Sequence, residues 1–596
     1  MKSKEKRRLR IRASLVFWIF CAIAGCLGIR LFHVQIRDGR ALAADAGAEQ
    51  RASFDVSGRR GDIVDRSGVP LAMSLPSFAV FAQGSAVLQP RAEAAALGSA
   101  LGVAPQPVSL AFERPGFVYL ARNVAPRSAL RVERLALAGV GVAEEPLGVR
   151  VDPQGRSGST LIGFTGVDNQ GLAGVEYRFN DLLRGKPGTV VEMTDNAGRP
   201  IPFGRRVIKP AIVGDTVVLA IDRMLQYEAE RILTSTVHRY QADDGAAIIM
   251  RAQTGEILAL ANTPNFDPND FGKSPPSSWR DRAITDPYEP GSTFKLITAA
   301  AALDSGKVSQ SDTFPAVDAI EVGRRTIHNA DDGLMASGRP SETLDDIVAY
   351  SHNVGAAEIA LRIGKRTLDD YIRRFGFDER TGVDLPGESA GIIQDPNDWW
   401  GSQIATIGFG QGISVTPLAL ARAYAAIANG GLLMRPLAVR SVMTPAGKAV
   451  KTYAPQVVRR VMRPETAAAL MAILRDVVKR GTARAAKVPG YKVAGKTGTA
   501  QMVIDGSYVG GAYTASFIGI VPADRPQYVI LVKVDHPHGA YYGSIVAMPA
   551  FCELARRTLW REGVLPDHVA GTVDGGLPAR SASQSGALRG NRHQQR

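Results

Sequence analysis

The sequence predicts an α+β protein: an antiparallel sheet flanked by helices plus an all-helical lobe, carried behind a separate α+β module and one N-terminal apolar helix. Three observations predict it. Residues 13–29 read ASLVFWIFCAIAGCLGI without a charge. Strand-like runs at 215–264 and 491–535 bracket a helical block at about 279–440 and are followed by a closing helix at 545–561, an order that gives a single sheet packed between helices. Three short polar motifs then fall at a helix start, a turn and a strand within that region.

The elements follow in order. At about 1.5 Å per residue, 13–36 crosses a hydrocarbon core about 30 Å thick, with Arg30 snorkelling to a headgroup. A cleaved signal peptide would use the small residues of ALAADAGA at 41–48, but the apolar run exceeds a usual signal core, so the reading is an uncleaved anchor. Seven Lys/Arg in residues 1–12 place that short tail in the cytoplasm and the rest outside it. At 59–72, short β-type runs flank Asp65-Arg66-Ser67-Gly68, a good hairpin turn. Residues 78–82 read as a strand, 91–102 and 127–139 as helices, 152–160 as a loop, and 171–185 as a helix bounded by glycines. None of this module, 37–213, holds a dense cluster of catalytic residue types. From 214 the texture changes: a strand at 215–222, a long amphipathic helix at 223–240, and two strands at 245–264 joined by Gln253-Thr254-Gly255-Glu256. Residues 214–566 form the second domain, and the polar Gly/Ser/Arg-rich residues 567–596 a disordered tail.

Composition excludes several classes. With 596 residues, 45% hydrophobic and 21% charged, the chain is ordinary globular material for two to four domains. Its net charge of +14 is uneven: residues 1–12 carry +6 and 571–596 carry +3, leaving +5 on the 558 between. That is no nucleic-acid footprint. Three cysteines, Cys21, Cys26 and Cys552, exclude a disulfide scaffold and a four-cysteine zinc site. Cys552 reads as a core residue rather than a nucleophile.

The first motif, Glu289-Pro290-Gly291-Ser292-Thr293-Phe294-Lys295, opens a helix with Ser292 at its start and Lys295 one turn on, on the same face. Unpaired N–H groups there favour negative charge near Ser292, and a nearby lysine able to take the hydroxyl proton makes a weak nucleophile competent. Alone the pattern is weak, since Ser3-Lys4-Glu5-Lys6 fits it too. The second, Ser351-His352-Asn353, taken singly is a helix-ending polar turn. The third, Lys496-Thr497-Gly498-Thr499, taken singly is an edge-strand irregularity; its Gly lets a ligand approach the backbone, and Lys496, Thr497 and Thr499 offer donors to a carboxylate. Their order and spacing, 59 and then 145 residues apart, form the documented signature of serine β-lactamases and penicillin-binding proteins.

With the anchor, the chain resembles the class B penicillin-binding proteins, monofunctional peptidoglycan D,D-transpeptidases, over nearly all of residues 10–562. Further motifs carry the likeness: RGDIVDRSG at 60–68, GLAGVE at 171–176, LPGE at 385–388, TIGFGQGISVTPLALARAYAAIANGG at 406–431 and YYGSIVAMPAF at 541–551. Glu289 and the 408–417 stretch are most similar to the cell-division (septal) branch, with the elongation branch close behind. His352 departs from the Ser that many relatives carry. The resemblance implies a penicillin-binding/serine β-lactamase-like transpeptidase domain on an elongated pedestal of the dimerisation type. It implies Ser292 as nucleophile, Lys295 as base, Ser351 as proton relay, Asn353 on the substrate amide, Lys496, Thr497 and Thr499 on the terminal carboxylate beside Gly498, and the N–H groups of Ser292 and Thr499 as oxyanion hole. It implies D-Ala-D-Ala stem peptides as substrate, β-lactams as inhibitors, no metal or cofactor, and a SEDS-type membrane glycosyltransferase with other division proteins as partners at the inner membrane. A β-lactamase would need a water-presenting base, which is not assignable here, and rarely has an anchor with a pedestal. A D,D-carboxypeptidase differs only in its acceptor. A sensor would need more transmembrane spans or a cytoplasmic effector, for which twelve cytoplasmic residues leave no room, and a silent scaffold would tolerate loss of Ser292, yet the full trio is present.

Overall fold

The computed structural model describes residues 2–39, 51–56, 58–114, 116–193, 206–330, 340–504 and 506–566; the candidate cleavage stretch 41–48 and the tail 567–596 lie outside them. Helix α1 (Lys2–Phe32) carries the apolar run. Its large side chains, Phe17, Trp18 and Phe20 among them, are exposed, and the stretch Arg7–Arg37 is long and apolar enough to cross a membrane.

The chain divides into two compact units that interleave along it: Met1–Gly61, Ser74–Val149 and Leu182–Asp215 make one, and Asp62–Met73, Arg150–Asp181 and Thr216–Arg596 the other. In the first, β1 (Arg51–Val56) pairs antiparallel with a strand at Gly188–Met193. A second cluster pairs β2 (Pro70–Gln83) with β3 (Phe117–Val124). Helices α2 (Pro90–Leu101), α3 (Pro105–Phe112) and α4 (Pro126–Arg134) accompany it. Val80, Leu97, Val108, Phe112 and Val132 form its buried core.

The second unit is built on five antiparallel strands: β4 (Asp244–Arg251), β5 (Ile257–Thr263), β6 (Ala494–Ile504), β7 (Ser507–Val521) and β8 (Tyr528–Asp535), in the order β5-β4-β8-β7-β6. Strand β8 is buried at every position, as a central strand covered on both faces must be. On the sheet pack α5 (Arg223–Arg239) and the closing helix α12 (Met548–Arg561), which also touch each other, and α10 (Pro417–Ala428). Asp222 caps α5 by accepting the N–H groups of Met224 and Leu225 at 3.0 and 3.2 Å, the arrangement that starts a helix at an Asp. Between β5 and β6 lie α6 (Lys295–Asp304), α7 (Leu344–Tyr350), α8 (Asn353–Ile363), α9 (Lys365–Arg374), α10 and α11 (Pro464–Lys479).

The hairpin at 65–68 forms as the residues dictate: the buried Asp65 side chain accepts from the N–H groups of Ser67 and Val69 at 2.8 and 2.9 Å, and Gly68 takes φ +83°. The 171–185 helix does not form in one piece. It breaks at Phe179 into Gly174–Arg178 and Asn180–Leu183, because the Asn180 side chain turns back to accept the Gly171 N–H at 3.0 Å, a local bond that competes with the helix ladder.

Candidate active site

The first motif folds as a single 3-10 turn, Gly291–Phe294, running directly into α6. In 3-10 geometry residues three apart eclipse, so Ser292 and Lys295 stand one above the other. The turn is held from two sides. Gly291 has φ +54° and donates its N–H to the Gly410 carbonyl at 3.0 Å, and a Cβ on it would come within 3.1 Å of the Thr499 carbonyl oxygen. Gly410 in turn has no room for a side chain, since a Cβ there would fall 2.1 Å from the Gly291 oxygen. Tyr424, fully buried in α10, donates its hydroxyl to the Thr293 carbonyl at 2.8 Å.

Lys295 is 1% exposed. Its Nζ donates to Asn353 Oδ1 at 2.8 Å, to Ser351 Oγ at 3.3 Å and to the Ser351 carbonyl. The second motif is the joint between α7 and α8. Ser351 caps the C-terminus of α7 with φ +66°, a left-handed conformation uncommon for a residue with a side chain. Asn353 begins α8 and steadies its own amide by donating to the His328 carbonyl at 3.1 Å. From the opposite side Lys496, wholly buried in β6, donates to Ser351 Oγ at 2.8 Å and to the Thr497 carbonyl at 3.3 Å. A serine hydroxyl has two acceptor sites and one proton. With Lys295 and Lys496 both donating to it, the Ser351 O–H is left to donate to a further group.

The third motif lies on β6, the edge strand next to β7, and β6 packs against the 3-10 turn. Gly498 makes that approach possible: a Cβ would sit 2.3 Å from Ser516 Oγ, 3.0 Å from Thr293 Cγ2 and 3.2 Å from the Pro290 oxygen. Thr497 Oγ1 lies 3.1 Å from Thr482 Oγ1, and Thr499 Oγ1 accepts the Gly543 N–H at 3.1 Å. Lys295, Ser351, Asn353 and Lys496 are thus joined by direct hydrogen bonds, while Thr497, Gly498 and Thr499 reach that cluster through their shared strand.

The motifs did not reveal what braces them. Glu289 accepts the Gly412 N–H at 2.8 Å and the Tyr508 hydroxyl at 3.0 and 3.1 Å, tying the loop before the Gly291–Phe294 turn to the strand after β6. Burial pushes the Glu289 carboxyl above its usual range, and burial with the Glu289 charge beside it pushes Tyr508 up to about 12. Next to Gly543, Tyr541 stacks on Tyr513 with ring centres 4.4 Å apart. Cys552 is half-buried, its thiol pushed up to about 11 by burial, which suits a packed side chain and not a nucleophile.

A helix-start serine over its lysine, a serine held between two lysines, and an edge strand admitted by a glycine define an enzyme of the penicillin-binding transpeptidase fold. Residues 245–556 match the penicillin binding protein transpeptidase domain, and residues 55–219 the penicillin-binding protein dimerisation domain. The chain is 35% identical over 566 residues to Stage V sporulation protein D of Bacillus subtilis, covering 93% of this chain and 87% of that one. It is 33% identical over 584 residues to the peptidoglycan D,D-transpeptidase FtsI of Escherichia coli, covering 95% of each. Among solved structures, penicillin binding protein 3 of Mycobacterium tuberculosis complexed with aztreonam superposes with a TM-score of 0.67 at 28% identity, over 86% of this chain and 98% of that one. The chain belongs to the class B penicillin-binding proteins.

Proposed function

We propose that this chain is the peptidoglycan D,D-transpeptidase of septal wall synthesis, held in the inner membrane by α1 with residues 1–12 in the cytoplasm and the two folded units in the periplasm. One observation carries the catalytic reading: Ser351 Oγ receives hydrogen bonds from both Lys295 and Lys496, so three motifs far apart in sequence meet at one hydroxyl. Ser292 Oγ attacks the carbonyl between the two terminal D-Ala units of a stem peptide, and Lys295 takes its proton. The N–H groups of Ser292 and Thr499 hold the developing oxyanion. Ser351 passes a proton to the leaving amine, D-Ala departs, and Ser292 is left as an ester. Asn353 orients the substrate amide, and Lys496, Thr497 and Thr499 bind the terminal carboxylate at the gap beside Gly498. An amine from a neighbouring strand then attacks the ester, forming the cross-link and restoring the serine. A β-lactam acylates Ser292 in the same way and stays.

The septal assignment draws support from the likeness to the relative named FtsI and from Glu289, whose brace to Tyr508 and Gly412 gives that residue a place beside the site. Side-wall synthesis is the alternative within the family, and a relative named for sporulation adds a specialised wall as a third setting. A SEDS-type glycosyltransferase and other division proteins are the proposed partners, tested by pull-down after exchanging residues 13–36. The decisive experiment is labelling with a fluorescent penicillin: Ser292→Ala is expected to abolish it in a protein that melts normally, and a label recovered on another residue overturns the assignment. Tagged protein gathering at midcell in dividing cells supports the septal role; lateral distribution overturns it.

A further inference from the structure

One residue of the second motif takes no part in that reaction. His352 stands between Ser351 and Asn353, is 7% exposed, and points its Nδ1 at Glu342 Oε2, itself only 4% exposed. Tyr350 lies along the imidazole at a ring-centre distance of 6.0 Å and an interplanar angle of 28°. Glu342 and His352 bracket α7 from its two ends. At the N-terminus, Thr343 and Asp346 form a reciprocal cap, Asp346 N–H to Thr343 Oγ1 and Thr343 N–H to Asp346 Oδ2, both at 3.2 Å. At the C-terminus, the His352 N–H closes on the Ile347 carbonyl at 3.0 Å. The Glu342–His352 contact therefore clasps a helix of seven residues end to end. The same carboxylate lies over the first turn of α8: a Cβ on Gly355 would be 2.5 Å from Glu342 Oε1. The helix dipole favours a negative charge there. The other charged groups around the clasp are Glu358 on α8, and Arg480, which covers the far side of Tyr350 at 5.4 Å and reaches Asp346 Oδ1 at 2.5 Å.

Ser351 needs such support. Its left-handed backbone is held only where the surroundings over-determine it: Lys295 steadies the turn through the Ser351 carbonyl and Asn353 Oδ1, and the Glu342–His352 contact adds a hold on the residue between them. We propose that His352 and Glu342 are positioning residues: their buried imidazole–carboxylate contact sets the Ser351–Asn353 turn and with it the register of Ser351 between Lys295 and Lys496. This rests on the transpeptidase reading of the site. The pair touches no substrate; it acts through the turn.

The test separates initial binding of a fluorescent penicillin from the acylation step by stopped-flow, in full-length protein. Breaking the clasp in His352→Ser or Glu342→Ala is expected to slow acylation at least ~10-fold, the cost of a misplaced proton-relay hydroxyl, while the initial dissociation constant stays within about twofold. His352→Asn, whose side-chain N–H still reaches Glu342, is expected to restore acylation to within about threefold of the native rate. The double variant His352→Ser/Glu342→Ala should be no slower than the slower single one, since the two act as a unit. A folded His352→Ser acylating at the native rate overturns the proposal, as does an Asn variant as slow as the Ser one, or a double variant whose losses multiply. If His352→Ser does not fold, Glu342→Ala against His352→Asn makes the same comparison. Label persisting in Ser292→Ala would instead remove the underlying reading; label lost there with native acylation in His352→Ser removes the positioning role alone.

Discussion

Gly498 tests the geometry most directly. Adding one methyl in Gly498→Ala places a Cβ 2.3 Å from Ser516 Oγ and 3.0 Å from Thr293 Cγ2, about 1 Å and about 0.4 Å inside ordinary contact. The serine can rotate its oxygen away. Thr293 cannot yield as freely, because its hydroxyl is bonded to the Pro290 carbonyl at 2.7 Å and its own carbonyl to Tyr424. The edge strand must move outward by a few tenths of an ångström, carrying Lys496 and stretching its 2.8 Å bond to Ser351. Misplacement on that scale is expected to cost on the order of 10–100-fold in acylation, with a stability loss of about 1–3 kcal/mol from overpacking. The assay is the second-order rate of fluorescent-penicillin acylation, read beside a thermal melt. Adding Ser516→Gly, which empties the nearest obstruction, should recover part of the rate. Acylation by Gly498→Ala within about threefold of native, in a protein that melts normally, would refute the claim that this glycine sets the approach of strand to nucleophile.

Two further outcomes follow from other parts of the molecule. Lys295→Ala removes the proposed base and is expected to slow acylation by roughly 10²–10⁴ while initial binding changes only a few-fold; the reverse pattern in stopped-flow would make it a substrate clamp. Burial, with Glu176 nearby, pushes the Asp152 carboxyl up to about 8, so the folded protein holds a proton there that the unfolded chain releases near pH 4. Its stabilising contribution is full below that pH and declines as pH rises towards 8. Asp152→Asn should therefore flatten the fall of unfolding free energy between pH 5 and 7 by about 1.4 kcal/mol per pH unit, measured by denaturant titration, and an unchanged slope would place the proton elsewhere.

What the sequence disclosed, it disclosed through local pattern. The alternation and apolar runs of 245–264 and 491–535 marked the strands that assemble into one antiparallel sheet, and Pro-Gly before Ser292 marked a helix start. Pairings across the chain left no such trace. Ile63 lies parallel to Val217, Tyr424 supports Thr293 131 residues away, and Tyr508 reaches Glu289 across 219 residues. Each is settled by packing between elements, which no window of neighbouring residues encodes. His352 read as a neutral departure beside Ser351 because its meaning lies in Glu342, ten residues earlier on another element. The 171–185 helix failed for the opposite reason: a local competitor, Asn180, interrupted a helix read from its bounding glycines.

The two lysine contacts on Ser351 would also give the proposed reaction a direction in time. The hydrogen-bond chain already runs from lysine to serine to whatever stands outside, so protonating a departing amine requires nothing to turn round. Taking a proton from an arriving amine requires the whole chain to reverse its polarity, and at least one lysine to let go first. On the proposed mechanism, the acyl group is loaded along a path laid in advance and unloaded only after a rearrangement. An inhibitor whose bound form obstructs that reversal turns an ordinary intermediate into a dead end.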